Sequence, residues 1–145
     1  MPVLSASHQL GLHAAATFYM VGVIWLVQLV HYPMFALLDA DRFRRSHAFH
    51  SRAISLVVIP AMLPELWLAV AILWHRGLRD WTAGTGFGLL AVIWLTTFQF
   101  IVPLHERLQR NGFDAGVHMT LCRWNWVRTA AWSARGLIAA WWINA

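Results

Sequence analysis

An all-α fold, an integral membrane antiparallel four-helix bundle, is what this sequence predicts, and three observations carry that expectation. Apolar residues make up 59% of the chain and charged residues only 12%, against roughly 25% charged in soluble domains. The apolar residues gather in four stretches, each close to the ~20 residues that cross a hydrocarbon core. The arginines stand mostly in the short connections between those stretches, where the positive-inside rule places them. The ten tryptophans and eight phenylalanines suit the aromatic belts of such a bundle.

Taken in order, Met1 to Gln9 reads as a short mobile or interfacial leader. It has no basic region ahead of the first apolar stretch, so no cleavable signal is evident and the first span is expected to be retained. Span one covers residues 12–37, with a kink expected near Tyr32 because Pro33 lacks a backbone donor. Asp39 to Arg52 reads as the first loop, part of it helical at the membrane surface. Span two covers residues 53–74 and contains Pro60, Pro64 and Glu65, the one carboxylate within any span. His75 to Gly84 is a short polar turn. Span three covers residues 85–104. Asn111-Gly112 marks a turn, and span four covers residues 117–143. The whole is one domain, and no internal repeat or low-complexity segment is evident.

The net charge of +5 comes from arginine alone, since the sequence contains no lysine. Those arginines lie in short loops and within span four rather than on a polar face, which argues against nucleic acid as a partner. The loops flanking spans one to two and three to four carry Arg42, Arg44, Arg45, Arg52, Arg107, Arg110 and Arg123. The middle loop carries Arg76 and Arg79. This bias predicts a multi-pass protein of a bacterial-type inner membrane, with both termini outside. The single cysteine, Cys122, permits no intrachain disulfide.

Polar residues within spans are costly and tend to face an interior or a cavity. At ~1.5 Å per residue, His31 and Arg128 fall inside the cytoplasmic half, with Gln28 and Glu65 somewhat deeper. His50, His105 and His118 fall at its boundary, and His47 stands one turn before His50. Imidazole and carboxylate from separate helices are a known way to build a metal site in a bundle. His31, His50, His105 and His118 are therefore candidate ligands for iron, copper or zinc, or for haem b through two axial imidazoles. Glu65 and Arg128 are the candidate catalytic pair. Gln28, Asn125, Arg135 and His47 are candidates for substrate or supporting contacts. On span four, His118, Asn125, Arg128, Trp132 and Arg135 recur at helical spacing and share a face, so Glu65 is expected to pair with Arg128 or Arg135. Trp94, Phe98, Ile101 and His105 are expected to share a face of span three. Plain packing and interhelical hydrogen bonding account for the same residue types.

The pieces His13, Gly22, Trp25 and His31-Tyr32, with Arg123-Trp-Asn125-Trp-Val-Arg128-Thr, resemble the first and last spans of the bacterial four-helix protoporphyrinogen oxidases. His31-Tyr-Pro33 and Asn125 to Arg128 are similar to the anthrone-oxygenase-like group. The lysine that the first family carries in span three has no counterpart here. Both resemblances imply a membrane-embedded oxidoreductase acting on a flat lipophilic small molecule that enters from the lipid bilayer. Two other classes fit the same residues. One is a transporter or binding protein with a polar path through Glu65, Arg128 and Arg135, which would call for a homo-oligomer. The other is an accessory membrane subunit whose polar groups only specify packing.

Overall fold

Proline decides how two of the helices are built. Pro33 cannot donate to the Leu29 carbonyl, and its ring crowds that carbonyl. In the structure, a computed structural model that describes residues 6–144, the helix nonetheless continues past Tyr32. Helix α1 runs from Ala6–Leu26 through a π-helical turn, Val27–His31, into Tyr32–Phe35. The Tyr32 N–H reaches the Val27 carbonyl, so a wider turn absorbs one extra residue just ahead of the proline. The expected kink is thus a bulge. The leader expected over Met1 to Gln9 lies partly outside the described residues, and its described part is already helical.

Helix α2 is Ala40–Arg76. Its first three turns replace most of the loop expected from Asp39 to Arg52. The arginines that suggested a loop there are solvent-facing, while Phe43 and His47 on the other face are fully buried. Pro60 and Pro64 lie inside α2 without ending it. Beside them the Tyr19 hydroxyl donates to the Val57 carbonyl at 3.3 Å, the kind of neighbouring donor that proline-bearing helices use.

Helix α3 comprises Trp81–Thr96, a second π-helical turn at Thr97–Ile101, and Val102–Asn111. Pro103 follows that turn as Pro33 follows the first. Helix α4 is Ala115–Asn144. Gly77 and Gly112 end α2 and α3 at φ 78° and 86°, the region where a side chain would be strained. Ser7–Phe35, Ala40–Arg76 and Trp81–Asn111 are each long and apolar enough to cross a membrane. Helix α4 is 30 residues long and carries Arg123, Asn125, Arg128 and Arg135 along its length.

Short connections force consecutive helices to run antiparallel. Helix α1 packs on α2 and α4, and α3 packs on α4 and α2. The middle of the bundle is filled by Met20, Ile24, Leu90, Ile93 and Trp132. Val27, Tyr32, Phe35, Phe43, Leu108 and Leu121 fill the end where α1 meets α2. A Cβ on Gly136 would meet Val21 at 3.2 Å, so this glycine permits the close approach of α1 and α4.

The π-helical turns Val27–His31 and Thr97–Ile101 are each followed two residues on by a proline, Pro33 and Pro103.

At the far end, Asp80 caps α3 by accepting from the Thr82 and Ala83 N–H groups. Trp142 of α4 donates to the Thr82 hydroxyl at 2.8 Å, which in turn donates to Asp80 at 2.6 Å. The Thr82 hydroxyl first, then the Ala83 N–H and the Arg76 guanidinium, hold the Asp80 carboxyl down to about 2. A depressed carboxyl stabilises the fold above its unfolded value near 3.8, and that contribution is lost as pH falls toward 2. Asp80→Ala should therefore lower stability at neutral pH by about 1 kcal/mol. Thermal unfolding followed by circular dichroism should show the gap between variant and wild type closing as the pH is lowered through that window.

Candidate functional site

Two polar networks cross the apolar interior; the first contains a buried ion pair and the second does not. The first centres on Glu65 of α2, which is fully buried. One of its oxygens, Oε1, accepts from the Thr17 hydroxyl at 2.7 Å and from Arg135 Nε and Nη2 at 3.1 and 2.7 Å. Arg135 of α4 also donates through Nη1 to the Gly86 carbonyl of α3. Its Nη2 lies 3.0 Å from His13 Nε2 on α1. A guanidinium has only donors, so Nε2 accepts and the His13 proton sits on Nδ1, which has no partner. One ion pair thereby ties all four helices.

The expected partner of Glu65 is thus Arg135, and Arg128 stands elsewhere. Glu65 also does not lie among the clustered imidazoles. It follows His50 by 15 residues on one helix, about 22 Å along the axis. Two α-helical turns with prolines do not bring it back.

The second network lies at the arginine-rich end and is directional. The Gln109 amide donates to the Arg44 carbonyl at 3.4 Å. This turns Gln109 Oε1 toward His47 Nδ1, 3.0 Å away, so Nδ1 carries the proton. His47 Nε2 must then accept, and His105 Nδ1, at 2.9 Å, donates to it. His105 Nε2 is left to accept from the Tyr32 hydroxyl at 3.0 Å. Each bond fixes the next tautomer. The chain Tyr32–His105–His47–Gln109 runs from the buried end of α1 to the exposed rim of α2 and α3.

His50 packs against this chain, its ring 6.1 Å from His105 and 5.2 Å from His31. His31, His50 and His105 are therefore brought together as expected, with His47 among them. His118 is not: its Nε2 lies 2.7 Å from the Tyr32 carbonyl, which can only accept, and 3.6 Å from Cys122 Sγ. That bond engages the nitrogen a metal would use. Among the described residues, no group of three or more His, Cys, Asp or Glu side chains is disposed to hold a metal ion. The reason is local: His47 and His105 spend their ring nitrogens on each other and on neighbours.

Above this chain lies a cavity of about 440 Å³ between α1, α2 and α3. Its apolar wall includes Ile24, Val27, Val58 and Ile101. Tyr32, His50, His105, Ser51 and Arg128 supply its polar groups. Arg52 and Glu106 in the wall are exposed, so the cavity reaches the surface. Arg128 is only 6% exposed and donates to Asn125 Oδ1 at 3.0 Å. Asn125 in turn donates to Gln28 Oε1 at 2.8 Å. Gln28 and Asn125 therefore orient Arg128, two turns from the ion-paired Arg135.

Helical spacing placed Asn125, Arg128, Trp132 and Arg135 on one face, and all four are buried. The face expected on span three is broken: Ile101 is buried but Phe98 is 60% exposed, because the π-helical turn rotates everything after Thr97. Sequence reasoning missed Tyr32 and Gln109. Gln109 stands four residues after His105, on the same helical face, which was the available signal. Comparisons with family models, curated proteins and solved structures returned no match, so the resemblances rest on the quoted residues alone.

Removing one member of a buried ion pair leaves the other uncompensated, at about 3–5 kcal/mol. Glu65→Gln alone should destabilise the bundle by that order, and Glu65→Met with Arg135→Leu together should recover most of it. Unfolding in mixed micelles, followed by near-ultraviolet circular dichroism, measures both. A single variant within about 1 kcal/mol of wild type would remove the pair from its structural role.

Proposed function

We propose that this chain is a multi-pass protein of a bacterial-type inner membrane, an oxidoreductase that binds a lipophilic hydroxyaromatic molecule in the α1–α2–α3 cavity. The observation that carries the reading is the directed chain Tyr32–His105–His47–Gln109 beneath that cavity. Oxidising a phenol or hydroquinone within a membrane requires its proton to leave. The Tyr32 hydroxyl can take that proton while passing its own to His105 Nε2. His105 Nδ1–H then moves to His47 Nε2, and the charge comes to rest on His47, whose Nδ1–H donates to Gln109 near the surface. General acid–base relays of this kind contribute about 10²–10⁴-fold to rate. Apolar walls suit a substrate arriving from lipid, and the arginines at the same end support a cytoplasmic side for the relay. Each turnover of a hydroquinone to its quinone delivers two electrons to two equivalents of an external one-electron metal-complex acceptor and sends two protons through the relay in succession, His47 releasing the first to solvent before the second follows.

A second reading, a metal- or haem-dependent enzyme, is favoured by the edge-to-face contact of His31 and His50 and by the unpartnered His31 Nδ1. Those two residues would hold iron, copper, zinc or haem b. Elemental analysis and an absorption spectrum of protein produced with iron and haem supplied, beside a His31→Ala, His50→Ala variant, decide it: metal or haem in the wild type and not the variant supports this form.

The relay is tested in nanodiscs with a short-tailed hydroquinone and ferricyanide as acceptor. Wild type should accelerate oxidation above the uncatalysed rate. Tyr32→Phe and His105→Gln should lower the catalysed rate about 100-fold or more, with Trp74→Phe at the exposed far end unchanged. Wild-type rates in Tyr32→Phe would remove the relay from the reaction.

A further inference from the structure

Arg128 is a buried cation without a counter-ion. The ion pairs among the described residues are Arg76–Asp80, Arg110–Glu106 and Arg135–Glu65. Arg128 is in none of them, and its Nε has no partner. Its one protein hydrogen bond goes to a neutral amide, which orients the guanidinium and leaves its charge in place. Arginine does not escape the cost of burial by deprotonating. An uncompensated guanidinium in an apolar interior is costly enough that such groups pair or face a polar ligand. Arg135, seven residues along the same helix, meets that demand through Glu65.

Arg128 lines the cavity. So does Ser51, whose buried hydroxyl also has no partner. Two unsatisfied donors therefore border one space with an apolar wall of Ile24, Val27, Val58 and Ile101; the one carboxylate in its lining, Glu106, is already paired with Arg110 at 2.6 Å. The volume suits a small-molecule ligand.

From this geometry we infer that the cavity takes a lipophile with an anionic head, a carboxylate or phosphate monoester, seated against Arg128 and Ser51 with its apolar body along Ile24, Val27, Val58 and Ile101. This rests on the cavity being a binding site for lipophiles and adds the charge of the ligand. Arg128 forms a charge-assisted, two-pronged contact with such a head, which a neutral alcohol cannot match. Asn125 and Gln28 fix the fork in place before the ligand arrives.

The test is saturable binding of radiolabelled laurate, dodecyl phosphate and dodecanol to the full chain in detergent by scintillation proximity. Laurate or dodecyl phosphate should bind at least tenfold tighter than dodecanol. Arg128→Gln should bring the anion down to the dodecanol level while dodecanol itself is unchanged, and Arg128→Lys should keep part of the preference. The comparison of head groups on wild type stands even where a variant fails to fold. Equal affinity for laurate and dodecanol would overturn the anionic head and leave the lipophile cavity intact. No saturable binding of any of the three would overturn both. Inorganic phosphate competing as well as dodecyl phosphate would make this a site for small anions and overturn the lipophile.

Discussion

The Glu65–Arg135 ion pair is the contact on which the rest of the bundle depends. Four apolar helices can slide and rotate against one another at little cost, because one greasy surface resembles the next. A carboxylate with nearly all of its hydrogen bonding on one oxygen cannot. Thr17 of α1 and Arg135 of α4 must both reach Glu65, while Arg135 also reaches Gly86 of α3 and His13 of α1. Any rotation of one helix by a residue leaves a charged or polar atom stranded.

The prolines set the second constraint. Each follows a π-helical turn, and that turn inserts a residue and rotates the remaining helix. On α1 the rotation brings Tyr32 and Phe35 inward together with Gln28. On α3 it brings Ile101 and His105 inward and turns Phe98 out. Tyr32 and His105 face each other because both helices make the same adjustment at the same depth. The cavity lies beside these two widened turns, between α1, α2 and α3.

Much of the architecture is legible in the sequence, and the failures have identifiable causes. Long charge-free runs announce α1 and α3, Asn111-Gly112 announces the end of α3, and the stripe from Asn125 to Arg135 announces the buried face of α4. The start of α2 is hidden because arginine-rich surface on a helix resembles a loop when only charge is counted. Phe43 and His47, one turn apart on its buried face, carried the opposite signal. The face of α3 was misjudged because a regular 3.6-residue period does not survive an inserted residue. His13 is not among the candidate site residues, yet Arg135 is long enough to reach it, at 3.0 Å. Among the candidate site residues, His31, His47, His50 and His105 gather, while His118 turns to the Tyr32 carbonyl, left available at the end of α1 where the Ala36 N–H reaches Pro33 instead.

The contrast between the two arginines of α4 locates where chemistry can occur. Arg135 is enclosed by an acid, a carbonyl and an imidazole, and nothing further can enter without breaking those bonds. Arg128 is held by an amide that cannot neutralise it, faces a space open at one side, and stands over a hydrogen-bond chain whose every proton has a defined owner. A closed network of polar groups in an apolar interior rigidifies the protein. An incomplete one asks for a group that the chain itself does not contain. The bundle has placed its only interior acid beside Arg135, so that arginine is neutralised by the chain itself, while Arg128 keeps its charge against an amide.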